Sequence, residues 1–194
     1  MKKKAVSILS LLIFLGGCAY LPFSGDSNTT FFVHKTFDFG LLEKVAVLPL
    51  ENLSADAAAN EKIRKVIITE LLSTGYVDVV EPGQVTKALI GLGLGGTVTF
   101  STDDLKKIGD AVGAPVVIMG TISTFDRPSI GGVSIPEITI ALWAVEINSG
   151  AIVWSVTTTS KGMGLKGYVL GVSGETMSET TIQTVKKAVR TLFR

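Results

Sequence analysis

One cysteine and one histidine limit what this chain can catalyse. Cys18 has no second cysteine for a disulfide, and His34 cannot complete a metal site alone. GVSGE at 171–175 nearly matches the G-x-S-x-G nucleophile elbow, but Glu175 replaces the final glycine. A serine hydrolase would also need a histidine, and His34 falls in what reads as a tether. GLGLGG at 91–96 satisfies G-x-G-x-x-G through Gly91, Gly93 and Gly96. In a dinucleotide site those glycines follow a strand and open a helix, so that the helix N-terminus meets a pyrophosphate. Here they follow a helical pattern, and the next helix starts only near residue 102. Pro115, Val116 and Val117 stand where the ribose-binding acid belongs. There is no Walker lysine motif and no HExxH. The expectation is a protein that is not an enzyme and uses no cofactor and no metal, with the glycine run a loop whose leucines tuck inward.

Cys18 is then better read as an attachment point. Lys2, Lys3 and Lys4 form a positive n-region, and residues 5–15 an apolar run too short for a membrane-spanning helix, which needs about 20 residues. Leu15-Gly16-Gly17-Cys18 resembles the lipobox of bacterial lipoproteins. That resemblance implies a diacylglyceryl group on the cysteine sulfur, cleavage before Cys18 and acylation of the new amino group. With Ala19 rather than aspartate next, it implies the outer membrane, on its periplasmic face. The expected division is a signal peptide over 1–17, a lipidated N-terminus and tether over 18–40, and an α/β domain over 41–194. Removing three lysines leaves 15 basic against 17 acidic residues, and no basic patch stands out, which speaks against nucleic acid as a partner.

The elements behind those residues are legible from periodicity. KVAVLPL at 44–50 reads as a buried strand ended by proline. Ser54 can cap a helix through about Thr74, with Ile63, Val66, Ile67 and Leu71 on one side and a Glu61–Lys65 pair on the other. Residues 76–80 read as a strand, and Pro82 opens a helix to about Ile90. Ser101 or Thr102 caps the next helix, with Asp103 and Asp104 in its first turn, Leu105, Ile108 and Val112 inside and Gly113 at its end. Strands follow at 116–125, at 137–147 (apolar on both faces, hence covered on both sides) and from Ile152, with Trp154 and Val156 on one face, after a turn at 148–150. Thr176 and Glu179 have capping-box spacing, ahead of a helix bearing Ile182, Val185, Val189 and Leu192 on one face. The order β-α-β-α-α-β-β-β-α predicts an α/β fold: a mixed five-stranded sheet with helices on both faces, its last three strands antiparallel neighbours. Phe31, Phe32, Phe37 and Phe39 are dense for a tether, and either dock on the domain or form a sticky site.

The pieces KVAVLPLENLS, LLSTGYVDVVEPGQV, DDLKKIGDAVGAPVVIMGTISTF and ALWAVEINSGAIVWSVTTTSKG together resemble the curli production assembly/transport (CsgG-like) lipoproteins, a group related to the LpoB-like activators of penicillin-binding proteins. The likeness spans about residues 43–162. It implies a periplasmic domain under the outer membrane that works through protein contacts. Curli secretion proteins build a pore from two hairpins per subunit. DRPSIGGVSIPE and GMGLKGYVLGVSGE are too short and glycine-rich for membrane hairpins of 9–11-residue strands. The chain is therefore expected to form no pore of its own.

The leading expectation is a non-enzymatic, outer-membrane-anchored lipoprotein acting by protein contacts in envelope assembly or secretion, as a possible homo-oligomer. The alternatives are an LpoB-like activator of peptidoglycan synthases and a small periplasmic enzyme. The connecting segments 91–98, 126–136 and 162–174 are the expected contact elements, with Leu92, Leu94, Ile130, Val133 and Tyr168 as candidate partner contacts.

Overall fold

The computed structural model describes residues 27–130, 132–162 and 175–193. Among these residues, nine strands and four α-helices follow in chain order: β1 (Ser27–Val33), β2 (Lys44–Val47), β3 (Glu51–Asn52), α1 (Ala59–Thr74), β4 (Asp78–Val79), α2 (Pro82–Gly91), α3 (Thr102–Val112), β5 (Val116–Asp126), β6 (Ser129–Ile130), β7 (Val133–Ser134), β8 (Glu137–Glu146), β9 (Ile152–Lys161) and α4 (Met177–Val189). The main sheet runs β1-β9-β8-β5-β2-β4, with β3 also pairing β5. β2, β3 and β4 are parallel to their partners, while β5, β8, β9 and β1 form an antiparallel series. The α/β class, the mixed sheet and the antiparallel last three strands agree with the sequence reading. The sheet has seven strands rather than five.

Two of the extra strands have plain causes. β3 is the continuation of β2 beyond Pro49. Leu48 N donates to the Ile118 carbonyl, the register with β5 shifts by one residue between Val47 and Glu51, and pairing resumes, with Leu53 N reaching the Ile122 carbonyl. β1 falls within the stretch assigned to the tether. Thr29, Thr30, Phe31, Phe32 and Val33 are strand formers, and they pair along β9 with the Thr29 and Thr158 hydroxyls 2.7 Å apart. The sheet thus begins at Ser27, and the aromatic segment divides: Phe37 and Phe39 pack on the core, while Phe31 and Phe32 remain exposed.

Two apolar layers hold the helices. On one face, Ile63, Ile67 and Leu71 of α1 and Val185, Ala188 and Val189 of α4 cover Ile118, Ile138, Ile140, Leu142 and Trp154. On the other, Val85 and Leu89 of α2 and Leu105, Ile108 and Val112 of α3 cover Ala46, Val117 and Val145. The second layer is smaller, so β8 is covered on both faces only towards Val145. Thr139 and Ala141 stay half-exposed, contrary to the expectation of a strand covered throughout. At Gly120 any Cβ would strike the Ala141 carbonyl and Leu142 of the adjoining β8, which explains a glycine inside a central strand.

Several local expectations change. α1 starts at Ala59 without a side-chain cap; Ser54 instead bonds the Asn52 side chain in the preceding turn. Glu61 pairs with Arg64 at 3.7 Å, where a Glu61–Lys65 pair was expected. Ile182 is 46% exposed on α4 rather than inside, and Ile152 is 48% exposed because a bulge at Val145 moves it off the face of Trp154.

Both expected capping boxes form. Ser101 Oγ accepts from Asp104 N at 3.2 Å while Asp104 accepts from Ser101 N, and Thr176 and Glu179 repeat the pattern. Hydrogen bonds from these caps hold the carboxyls of Asp104 and Glu179 below their ordinary pKa values. A carboxyl with a lowered folded pKa contributes stability above its unfolded value, near pH 4, and loses it as pH falls through the folded value. A Ser101→Ala, Thr176→Ala chain is therefore expected to be less stable than the parent at pH 7, with the gap narrowing at pH 3. Thermal midpoints at the two pH values check this; a gap that widened on acidification would contradict it.

Candidate partner-binding surfaces

Among the described residues no group of three or more His, Cys, Asp or Glu side chains is placed to hold a metal ion, and no helix is long and apolar enough to cross a membrane. His34 Nδ1 lies 3.1 Å from the Thr36 hydroxyl, and its ring meets Phe32 edge-on. The surfaces with most to offer are apolar.

The glycine run 91–96 is a helix stop. Gly93 takes φ +74°, Leu94 N donates back to the Leu89 carbonyl at 2.8 Å, and Gly93 N to the Ile90 carbonyl at 3.0 Å. That bond pair is a Schellman motif, which satisfies the last carbonyls of α2. Its apolar contact is present too, because Leu94 packs on the layer that contains Leu89. The geometry leaves Ile90, Leu92 and Val98 outside, at 66%, 38% and 36% exposure. So Leu94 is a half-buried residue packed on that layer and Leu92 an exposed one. Ile90 belongs with Leu92 and was missed because helical periodicity alone did not separate it from the inner stripe.

The second surface is the connection after β5. β6 and β7 are two residues each and pair Ser129 with Ser134 and Ile130 with Val133. The hairpin is held by Ile135 N donating to the Pro128 carbonyl and Ser134 Oγ to the Arg127 carbonyl. Val133 is half-buried, and strands this short cannot span a membrane. Cys18, Tyr168 and the segment 163–174, with its near-elbow serine motif, lie outside the described residues.

The third surface is a groove of about 900 Å³ that sequence reading did not find. It lies between α1 and α4 at the C-terminal end of β5. Val66, Phe125, Met177 and Ile182 supply apolar walls, and Asp56, Lys62, Asp126, Arg127, Ser178 and Thr181 the polar ones. Lys62 pairs with Asp56 at 2.6 Å and sits 5.5 Å above the Phe125 ring. The lysine holds the Asp56 carboxyl below its ordinary pKa, helped by a bond from Ala58 N. No signal in the sequence pointed to it, because Ile182 stands at helical spacing with Val185, Val189 and Leu192 and only the structure shows it exposed.

No curated protein matches the chain by sequence. Among solved structures, PelC from Paraburkholderia phytofirmans, crystallised as a dodecamer, matches at 15% identity and a TM-score of 0.59, over 85% of this chain and 98% of that one. The LpoB C-terminal domain from Salmonella enterica matches at 18% identity and a TM-score of 0.49, over 65% of this chain and 86% of that one. The same domain from Escherichia coli matches at 18% and 0.47, over 60% and 81%. The family model of the peptidoglycan-synthase activator LpoB matches residues 38–159. Of the two related groups that the sequence resembles, it is therefore the second that the family match supports. With more than half of its 194 residues matched, the chain belongs to the LpoB family.

Proposed function

We propose that this protein is a non-catalytic lipoprotein, anchored through Cys18 to the periplasmic face of the outer membrane, that activates a peptidoglycan synthase by direct contact. The observation that carries the reading is the family match across 38–159. It takes the place of the broader expectation of a role in envelope assembly or secretion. Ile90 and Leu92 are the contact residues we assign, since they are apolar, exposed and stand at the Schellman stop.

The anchor limits where contact occurs. Residues 19–26 separate Cys18 from the sheet, and nine extended Cα steps span at most about 30 Å. The synthase must come to the domain near the membrane rather than wait for a long tether to reach it.

Purified lipidated protein should accelerate glycan polymerisation by a peptidoglycan synthase from the same cell. An Ile90→Asp, Leu92→Asp chain should lose that stimulation while keeping the parental thermal midpoint. Stimulation unchanged by the pair would move the contact elsewhere, and no stimulation by the parent would sink the activator reading. Palmitate labelling tests the anchor: a Cys18→Ala form that still took up label would overturn it.

A second reading, assembly of copies into a closed ring, draws on the PelC structure, a dodecamer whose fold this chain shares over most of its length. A native mass near that of one chain, measured on the lipidated protein in detergent, would remove it.

A further inference from the structure

We infer that the open face of the sheet over β5, β8, β9 and β1 binds a linear, uncharged glycan through its threonine hydroxyls. α2 and α3 cover this face only at the end that holds Ala46, Val117 and Val145. Beyond that end the register sets the outward side chains in rows. Thr124, Thr139, Thr159 and Asn28 form one row across the four strands. Thr121, Ala141, Thr157 and Thr30 form the next. Met119, Trp143, Ser155 and Phe32 form the third, nearest the helices. Three strand spacings one way and four residues of strand the other give a patch of about 14 Å by 14 Å. Asn28, Thr30, Phe32 and Thr157 are exposed, and of the others only Met119 is buried.

Strand propensity favours threonine at such positions, but a solvated surface ordinarily mixes in charges, and these three rows carry none. Charges stand only at the margins. Glu51 accepts from the Thr121 hydroxyl at 2.8 Å, and in the row beyond Thr139 Lys161 pairs with Glu137 at 3.4 Å. The Thr139 and Thr159 hydroxyls lie 3.0 Å apart. The side chains of Asn28, Thr30, Thr124, Ser155 and Thr157 bond no other described residue, so they can donate and accept outward. That chemistry selects the ligand. Nucleic acid needs cations, which these rows lack. A protein partner draws its binding energy from buried aromatics and arginine, and little from serine and threonine. A sugar chain offers neutral hydroxyls that pair with threonine, and C–H faces that lie on aromatic rings. Phe32 and Trp143 supply such rings along one border. Peptidoglycan as the source of the glycan rests on the proposed function; binding of an uncharged sugar chain does not.

Tryptophan fluorescence of the full lipidated protein tests it, in a sugar-free detergent and with the linear hexamer of N-acetylglucosamine as probe. Trp143 stands on the face, and Trp154, the other tryptophan, is buried on the opposite side. A saturable change in emission is expected. Thr30→Val with Thr157→Val keeps shape and strand propensity, and should raise the half-saturating concentration at least about five-fold for two lost hydrogen bonds, at the parental thermal midpoint. The Ile90→Asp, Leu92→Asp chain should bind the hexamer as the parent does. No saturable change in the parent, or equal half-saturation in the double valine chain, would overturn the proposal. A parent that self-associates and is split by Thr157→Lys would give the face to a second copy, with the same consequence. Co-sedimentation with purified peptidoglycan tests the source: the parent should be retained and the double valine chain lost. Hexamer binding without that retention would overturn the peptidoglycan assignment. Neither assay contains a synthase, so failure to bind sugar and failure to stimulate a synthase are read separately.

Discussion

Replacing Trp154 with alanine is expected to cost about 4 kcal/mol of folding stability, within the range of roughly 3–5 kcal/mol for removing a buried tryptophan. Trp154 is 1% exposed and stands in β9 between two paired strands. Its cross-strand neighbours are Val33 of β1 and Ala144 of β8, and the small side chain of Ala144 leaves room for the indole. Above it, Nε1 donates to the Thr191 hydroxyl at 3.0 Å, and that hydroxyl donates to the Ala188 carbonyl at 2.7 Å just beyond α4. One side chain thereby joins the edge strand, the central sheet and the last helix. In a domain of this size about 4 kcal/mol corresponds to a fall of roughly 10–15 °C in thermal midpoint. Phenylalanine retains most of the volume and gives up only the indole donor, so Trp154→Phe should lie well above Trp154→Ala. Urea unfolding of both variants decides it, and an alanine variant within 1 kcal/mol of the parent would show that the site collapses without cost.

The helices were legible because their signals are local. Ser101–Asp104 and Thr176–Glu179 each specify a cap within four residues, and the structure forms both boxes. The glycine run 91–96 was recognisable as something other than a nucleotide loop from its position after a helix. Its identity as a helix stop required the bonds from Gly93 and Leu94. What escaped depends on partners distant in sequence. Ser27–Val33 reads as polar tether until β9 supplies a ladder of Thr157, Thr158 and Thr159 for it to pair with. The groove escaped for the same reason, since Val66, Phe125 and Ile182 come from three elements that only the packing of α1 on α4 brings together. Leu92 and Leu94 were both named as contacts, but only the cap geometry distinguishes the packed residue from the exposed one.

Arg64 makes the same point and carries the second large effect. A charged residue at 4% exposure inside α1 looks misplaced until the edge of β2 is followed. Asp78 N donates to the Glu43 carbonyl and Val80 N to the Val45 carbonyl, so the next acceptor along that edge is Val47 and the next donor position is residue 82. Residue 82 is proline and has no N–H. Arg64 completes the ladder: Nε and an Nη donate to the Val47 carbonyl at 3.1 and 2.7 Å. Burial draws its pKa below the ordinary arginine value, and the carboxylate of Glu61 opposes that shift. Arg64→Ala removes the side-chain packing and leaves the Val47 carbonyl without this charged donor, an expected loss of about 3 kcal/mol. Arg64→Met keeps a long apolar side chain and loses only the donors, so it should fall about 1–2 kcal/mol below the parent. Arg64→Lys, with a single ammonium in place of the planar fork, should lie between methionine and the parent. That order separates bonding from packing in one urea series. Parental stability in Arg64→Met would mean that the missing donor at Pro82 needs no replacement, and that Arg64 is held by its hydrocarbon alone.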